Sequence, residues 1–450
     1  MEAIIIAAGE GSRLRPEGAR RAYHPPKPLT PLLGLALIER ALLSLRDNGI
    51  RDIIIVIGHR GEEIRERLGD GRRYGVRLRF VENRRWRQGN GGSVLAARKA
   101  LAGDSPFLLA MSDHVAEPGL LGRLLAAGQP RPGEVYLAVD FDRQKVYQPE
   151  EATRVVVEAG EVREIGKGLA PYHGVDCGFF LCTDAIFDAL AEEAAAGRHA
   201  LTDGIRALAR LGRVKAIDIG DAQWVDVDDA PALREARRRL LRGLPSARDG
   251  LISRLVNRRV SVPLSGALAA LPISPNAVSV TSFLVAVAAA LGFAQGSWLA
   301  AGLLAQAASI LDGVDGEIAR LKFQASRYGA YFDAILDRYA DGLIILGMTY
   351  GWYATSPEPW VWLLGALALI GSPMSMLAKE KFQALTGSPY LPERFDGHLR
   401  YLPANRDGRL FLVMLAGLTG QIPAVLGLLA LMSNVLALGR LWLVRRHLEG

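Results

Sequence analysis

Cysteine is almost missing from this chain: Cys177 and Cys182 are the only two in 450 residues. That excludes a small secreted domain stapled by disulfides. Charge is scarce in places. No Asp, Glu, Lys, Arg or His occurs from Ser261 to Leu311 or from Leu410 to Gly439. With 50% hydrophobic residues and a mean hydropathy of +0.15, those runs exclude a wholly soluble protein. The first residues, Met1-Glu2-Ala3-Ile4-Ile5-Ile6, lack the cationic start and long apolar stretch of a signal peptide and read as a strand. The net charge of +7 comes from arginines that flank apolar spans, which favours a membrane surface over nucleic acid as the partner. A chain of this length has room for two or three domains.

What is present falls into two halves. From residue 1 to 241, strands alternate with helices: Ala3–Ala8, Asp52–Gly58, Val76–Val81 and Pro106–Met111 read as strands, and Ala36–Asn48, Glu62–Leu68 and Ser93–Ala102 as helices. Helical crossovers between buried strands predict an α/β, Rossmann-like domain on a parallel sheet. The polar stretch Arg242–Asp249 marks a boundary, and residues 242–271 read as a linker and juxtamembrane segment. Within it Ile252, Leu255, Val256 and Val260 share one helical face, the pattern of an interfacial amphipathic helix or of a linker helix packed on the first domain. Residues 272–450 then predict an all-α membrane domain with about six spans, near 276–294, 298–318, 329–351, 360–377, 405–420 and 422–444. The fifth has Asn405, Arg406, Asp407 and Arg409 in its first turns. Basic residues, from Arg248–Arg259 to Arg445-Arg446, fall in alternate loops, which predicts that both termini are cytoplasmic in a multi-pass plasma-membrane protein.

The first half carries Ala8-Gly9-Glu10-Gly11-Ser12-Arg13 directly after its first strand, then Lys27-Pro28-Leu29, Gly89-Asn90-Gly91-Gly92-Ser93, Ser112-Asp113-His114 and Trp224-Val225-Asp226. Glycines let backbone N–H groups cradle phosphates, and Arg13 and Lys27 add cationic charge. Asp113 and Asp226 are the pair for Mg²⁺, although an aspartate at a strand end also serves as a simple cap. This combination resembles the sugar-1-phosphate nucleotidyltransferases over residues 1–235. The resemblance implies that Ala8, Gly9, Gly11, Ser12 and Arg13 bind a triphosphate and that Lys27 acts at its α-phosphate. It implies that Asn90, Gly91 and Ser93 contact base or ribose, that Asp113 and Asp226 hold metal, and that Lys167 and Asp176 meet the acceptor's phosphate and hydroxyls. The segment from Arg13 to Lys27, with Arg20, Arg21 and His24, has no assigned path.

The second half carries Asp312-Gly313-Val314-Asp315-Gly316-Glu317-Ile318-Ala319-Arg320, then Gly329, Asp333 and Asp337. Spacings of three and four put each pair of aspartates on one helical face. Carboxylates at the ends of apolar spans cost about 2.5 kcal/mol or more each near a helix centre, so their clustering points to hard cations such as Mg²⁺ or Mn²⁺. Solvated charges at helix ends are the plainer reading of any one of them. The whole pattern resembles the CDP-alcohol phosphotransferase signature, with every fixed position present. That resemblance implies two divalent cations on Asp312, Asp315 and Asp333, with Asp337 beside the metals as general base. It also implies a CDP site along Asn276, Gly313, Gly316 and Arg320, and a homodimer through the membrane domain. Arg327, Lys379, Lys381 and Arg406 are candidates for an acceptor phosphate, or charges that set topology.

A nucleotidyltransferase makes an activated alcohol and the second domain consumes one, so the fusion fixes the nucleotide as CTP. The order resembles the bifunctional inositol-1-phosphate cytidylyltransferase and di-myo-inositol-phosphate-phosphate synthase family. It implies that CTP and inositol 1-phosphate give CDP-inositol, and that CDP-inositol then reacts with a second inositol 1-phosphate in compatible-solute synthesis. Transfer of another CDP-alcohol to a lipid hydroxyl, and a membrane-tethered scaffold without catalysis, are the competing readings.

Overall fold

The computed structural model describes residues 1–14, 24–103, 105–245, 249–403 and 405–448. Arg20, Arg21, Arg248 and part of the expected linker therefore lie outside the described residues, as does the side chain of Arg446. The chain forms two compact units, Met1–Leu240 and Leu241–Gly450.

Among its described residues the first unit has thirteen strands: β1 (Glu2–Ala7), β2 (Pro31–Leu32), β3 (Leu35–Ala36), β4 (Asp52–Ile57), β5 (Arg77–Glu82), β6 (Phe107–Met111), β7 (His114–Ala116), β8 (Val135–Asp140), β9 (Arg154–Glu158), β10 (Glu161–Gly166), β11 (Gly174–Cys182), β12 (Val214–Asp218) and β13 (Trp224–Asp226). Its helices are α1 (Leu37–Asp47), α2 (Gly61–Leu68), α3 (Asn90–Ala97), α4 (Pro118–Ala126), α5 (Ala185–Ala195), α6 (Leu201–Arg210) and α7 (Ala230–Arg242). Nine strands make one sheet in the order β5-β4-β1-β6-β11-β8-β12-β10-β9. The β5-β4-β1-β6 half is parallel, and Ile4, Ile5, Ile53, Ile54 and Ile55 are fully buried in it, as strands covered on both faces require.

The expectation of an all-parallel sheet is corrected beyond β6. β11 runs antiparallel to both β6 and β8, and β9 and β10 form a hairpin. The hairpin turns on Ala159 and Gly160, both at positive φ, and a two-residue turn of that kind can only join antiparallel strands. Helix α3 also starts three residues earlier than the apolar pattern suggested, at Asn90. The two cysteines sit on β11 and are fully buried, and burial pushes both thiols up.

The second unit is helical: α8 (Arg258–Leu268), α9 (Pro275–Ala294), α10 (Trp298–Leu321), α11 (Arg327–Thr355), α12 (Trp360–Thr386), the single turn α13 (Pro392–Phe395), α14 (Arg406–Thr419) and α15 (Ile422–Leu448). Each of the six apolar segments expected from the sequence is a helix. Three, Pro275–Ala294, Trp360–Thr386 and Ile422–Arg445, are long and apolar enough to cross a membrane. The residues from 406 to 419 form only fourteen positions of helix, short of a span, because Asn405 caps the helix at the charged residues. Small residues let the long helices approach. A Cβ on Gly347 would lie 2.2 Å from the Ala290 carbonyl oxygen, and one on Gly417 would lie 2.4 Å from that of Trp298.

The segment leading into α8 has an unusual polarity. Ser253, Asn257, Ser261 and Ser265 are buried, while Leu251, Leu255 and Val260 are exposed. Ile252 and Val256 are half-buried. A wider π turn over Ser253–Asn257 brings the polar side chains into line with α8 and turns them onto α10. The apolar face predicted for this helix therefore points outward, and its polar face makes the packing contact.

Two candidate active sites

In the first unit the loop after β1 carries Gly9, exposed, and Gly11 at φ +61°, where a Cβ would lie 2.3 Å from the Lys27 Cβ. Glycine there lets the Lys27 stem pass against the loop. Ala8 is buried, and Ser12 and Arg13 lie exposed on the single turn Ser12–Leu14. The Lys27 ammonium is 2.5 Å from Asp113 and 2.6 Å from Asp228, and Arg13 pairs with Asp228 at 2.5 Å and Glu151 at 3.0 Å. Burial would lower the Lys27 pKa, but Asp113, Asp228 and Asp226 raise it above its ordinary value.

Asp113, at the end of β6, and Asp226, on β13, come together with His114 so that their ligand atoms all lie within 4.8 Å of one another. The His114 Nδ1 is 3.0 Å from Asp113 and 3.8 Å from Asp226, and its ring stacks on Trp224 at 5.9 Å. A Cβ on Gly178, at φ +75°, would strike that ring. Burial opposes a charge on His114, but the two carboxylates push its pKa up to about 9. Burial likewise works to raise Asp113, yet Lys27 and His114 hold it well below the usual carboxylate range. Asp226 is raised by burial, and its Oδ1 is a buried oxygen without a hydrogen-bond partner. An orphaned carboxylate oxygen among two further donors fits a divalent cation.

These groups border a cavity of about 320 Å³ that Asn90, Lys167, Asp176, Thr202 and Trp224 also line. Burial pushes the Asp176 carboxyl up to about 6. Gly91 and Ser93, expected at the nucleotide, point into the fold instead. The Gly91 N–H donates to the His199 carbonyl at 3.0 Å, and the Ser93 hydroxyl accepts from the Asn83 amide at 2.9 Å. The Asn90 side-chain oxygen accepts from the Leu201 N–H at 2.7 Å while the residue faces the cavity. Sequence reasoning missed Asp228 and Glu151, and gave His114 no role. Only the Asp-x-Asp spacing of Asp226 and Asp228 could have flagged the first.

In the second unit Asp312 and Asp315 on α10 and Asp333 on α11 have ligand oxygens within 4.8 Å of one another. The donor set is all oxygen, as a hard cation prefers. The Ser279 hydroxyl of α9 donates to Asp315. One turn beyond Asp333, Asp337 pairs with Arg406 at 3.0 Å. Arg406 also reaches Asp312 at 2.6 Å and Asp341 at 3.3 Å, and Arg409 meets Asp341 at 2.5 Å. Arg406 is therefore enclosed by three carboxylates. Asp341 continues the four-residue spacing of Asp333 and Asp337, the local signal for it in the sequence.

Asn276 lies beside Gly329, where a Cβ would come 3.4 Å from the Asn276 Oδ1. Gly313 faces α8, since a Cβ there would come 2.7 Å from the Arg258 Nη1. Gly316 faces Arg320, whose guanidinium donates to the Leu244 carbonyl at 3.0 Å. Arg327 and Lys381 are exposed and Lys379 is half-buried. Among the described residues, no hydrogen bond or ion pair draws those three into the carboxylate cluster.

Comparison with known proteins places both halves. Residues 3–217 match the MobA-like NTP transferase domain family, and residues 272–444 match the CDP-alcohol phosphatidyltransferase family. A protein of Rubrobacter xylanophilus described as a bifunctional IPC transferase and DIPP synthase is 40% identical over 99% of this chain and 96% of its own. Proteins of the same description from Aquifex aeolicus and Thermococcus kodakarensis are 31% and 34% identical, over 98% and 96% of this chain and 97% and 94% of theirs.

Proposed function

The chain belongs to the family of bifunctional IPC transferases and DIPP synthases, and from that premise we propose how its two sites divide two consecutive reactions. In the first unit a phosphate oxygen of inositol 1-phosphate attacks the α-phosphorus of CTP. The bond to the β-phosphate breaks, and CDP-inositol and pyrophosphate result. Lys27 and Arg13 exchange their carboxylate partners for triphosphate oxygens, while Asn90 borders the nucleoside. Lys167 and Asp176, on the same cavity, take the phosphate and hydroxyls of the acceptor.

In the second unit Asp337 takes the proton of a hydroxyl on a second inositol 1-phosphate. That oxygen attacks the inositol-bearing phosphorus of CDP-inositol, the bond to CMP breaks, and di-myo-inositol phosphate phosphate forms. Asp312, Asp315 and Asp333 would hold Mg²⁺ in this site, and Asp113 and Asp226, with the His114 ring beside them, would do so in the other. Bound there, the cations supply charge neutralisation of the reacting phosphates and of the leaving group. The Arg406 guanidinium between Asp312 and Asp337 orients the base against the metal ligands.

The observation that carries this reading is the pair of separate cation-fit clusters in one chain, each set in a unit matching a different transferase family. The same reading makes the second unit a six-helix membrane domain with both sites cytoplasmic. Three apolar helices support this, and so does the exposed apolar row Leu251, Leu255 and Val260, which suits the bilayer interface. Purified protein given CTP, Mg²⁺ and inositol 1-phosphate without lipid should release pyrophosphate and CMP and yield the phosphorylated di-inositol diester. Refusal of inositol 1-phosphate with acceptance of another phospho-alcohol would overturn the substrate assignment.

A further inference from the structure

The most buried charge in the second unit belongs to a residue outside the carboxylate cluster. Glu317 on α10 is 0% exposed, as are Ser261 and Ser265 on α8. Its Oε1 accepts from the Arg258 Nη1 and the Ser261 hydroxyl, both at 2.7 Å, and its Oε2 accepts from the Ser265 hydroxyl at 2.6 Å. Arg258 is itself held by both oxygens of Asp249, at 2.8 and 2.9 Å, and its Nη1 reaches the Gly313 carbonyl at 3.3 Å.

An apolar contact between two helices would tolerate sliding and rotation, and a well-packed apolar pair is often as stable as a buried ion pair. Directional bonds to both oxygens of one carboxylate fix an angle. At 100° per residue, Gly313 and Glu317 share the α8-facing side of α10, while Asp312 and Asp315 share the roughly opposite side. A carboxylate lies about 5 Å from a helix axis, so a rotation of ~15° displaces it by ~1.3 Å. Metal–oxygen distances tolerate only about 0.2 Å.

We propose that Glu317 is a positioning residue for the transferase reaction: clasped by Arg258, Ser261 and Ser265, it sets the rotation of α10 that brings Asp312 and Asp315 to the cation shared with Asp333. This rests on the metal-site reading given above, and the test separates the two. Full-length Glu317→Gln and the double variant Ser261→Ala/Ser265→Ala are assayed for CMP release from CDP-inositol and inositol 1-phosphate across a Mg²⁺ series. Pyrophosphate release from CTP serves as the internal control. The expected result is a rise of roughly fivefold or more in the Mg²⁺ needed for half-maximal CMP release. The rate should recover largely at high Mg²⁺, and pyrophosphate release should be unchanged. Mn²⁺ binding followed by its paramagnetic resonance should weaken in parallel in the second unit. A lowered thermal midpoint with unaltered Mg²⁺ dependence in both variants would reduce Glu317 to a packing role and overturn the proposal. If Asp315→Asn also leaves CMP release intact, the metal-site reading itself falls.

Discussion

Lys27 and Arg406 each stand among three carboxylates or close to them, one in each unit, and each shows what a single cation does in a crowded acidic site. Lys27 lies between Asp113 and Asp228, with its stem packed against Gly11 of the glycine loop. Lys27→Ala should lower pyrophosphate release by roughly a hundredfold or more, about 3 kcal/mol of transition-state stabilisation. CMP release from supplied CDP-inositol should stay as in the parent. Arg406→Ala leaves Asp312 and Asp337 facing one another without the cation between them, while Asp341 keeps Arg409. It should lower both CMP release and the thermal midpoint of the membrane unit, while Arg406→Lys should retain part of each. The aspartates were legible in the sequence because three- and four-residue spacings on a helix declare a shared face. Arg406 was legible only as one of four basic candidates for an acceptor phosphate or for setting topology. Its three partners lie 65 to 94 positions away, and nothing local encodes that meeting.

Elements carry their own constraints. Helix α1 starts at a cap held by Glu39, which is 2% exposed and accepts from the Ala36 N–H at 2.7 Å, the Tyr74 hydroxyl at 2.6 Å and Arg67 at 3.0 Å. Burial would raise this carboxyl, but the three donors outweigh it and hold its pKa below the ordinary value. A depressed carboxyl contributes stability that is fully present above about pH 4.3, the unfolded value, and is lost as pH falls through the folded one. Glu39→Gln should therefore cost about 1–3 kcal/mol near neutrality and flatten the acid side of the unfolding profile, read from thermal midpoints across the acid range. In the membrane unit Gly347 meets the Ala290 carbonyl so closely that Gly347→Val must push α11 away from α9. The expected outcome is a lower midpoint and weaker CMP release, with pyrophosphate release spared. Strand and helix identities were readable from apolar periodicity up to Met111 in the first unit and for the six apolar helices of the second, and the elements from β7 to α7 were not assigned individually. The direction of β11 was not readable, because a buried apolar strand reads the same in either orientation until its hairpin partners are known. The apolar face of the segment around α8 was legible too, but not that its serines would do the packing.

At the scale of the whole molecule, two compact units with separate acidic clusters predict separable half-reactions. A mixture of Lys27→Ala and Asp337→Asn proteins should form the di-inositol product from CTP and inositol 1-phosphate far faster than either variant alone. Failure of the mixture, with each remaining half-reaction intact, would mean that the intermediate does not pass through solution. The burial of both native thiols on β11 adds a practical consequence. The unmodified chain should be silent toward bulky maleimides, so any reporter thiol introduced elsewhere would be read against a blank background. Ser297→Cys and Ser356→Cys, set in turns without Lys or Arg, and Gln324→Cys, set in a basic one, should then label from opposite faces of an intact vesicle.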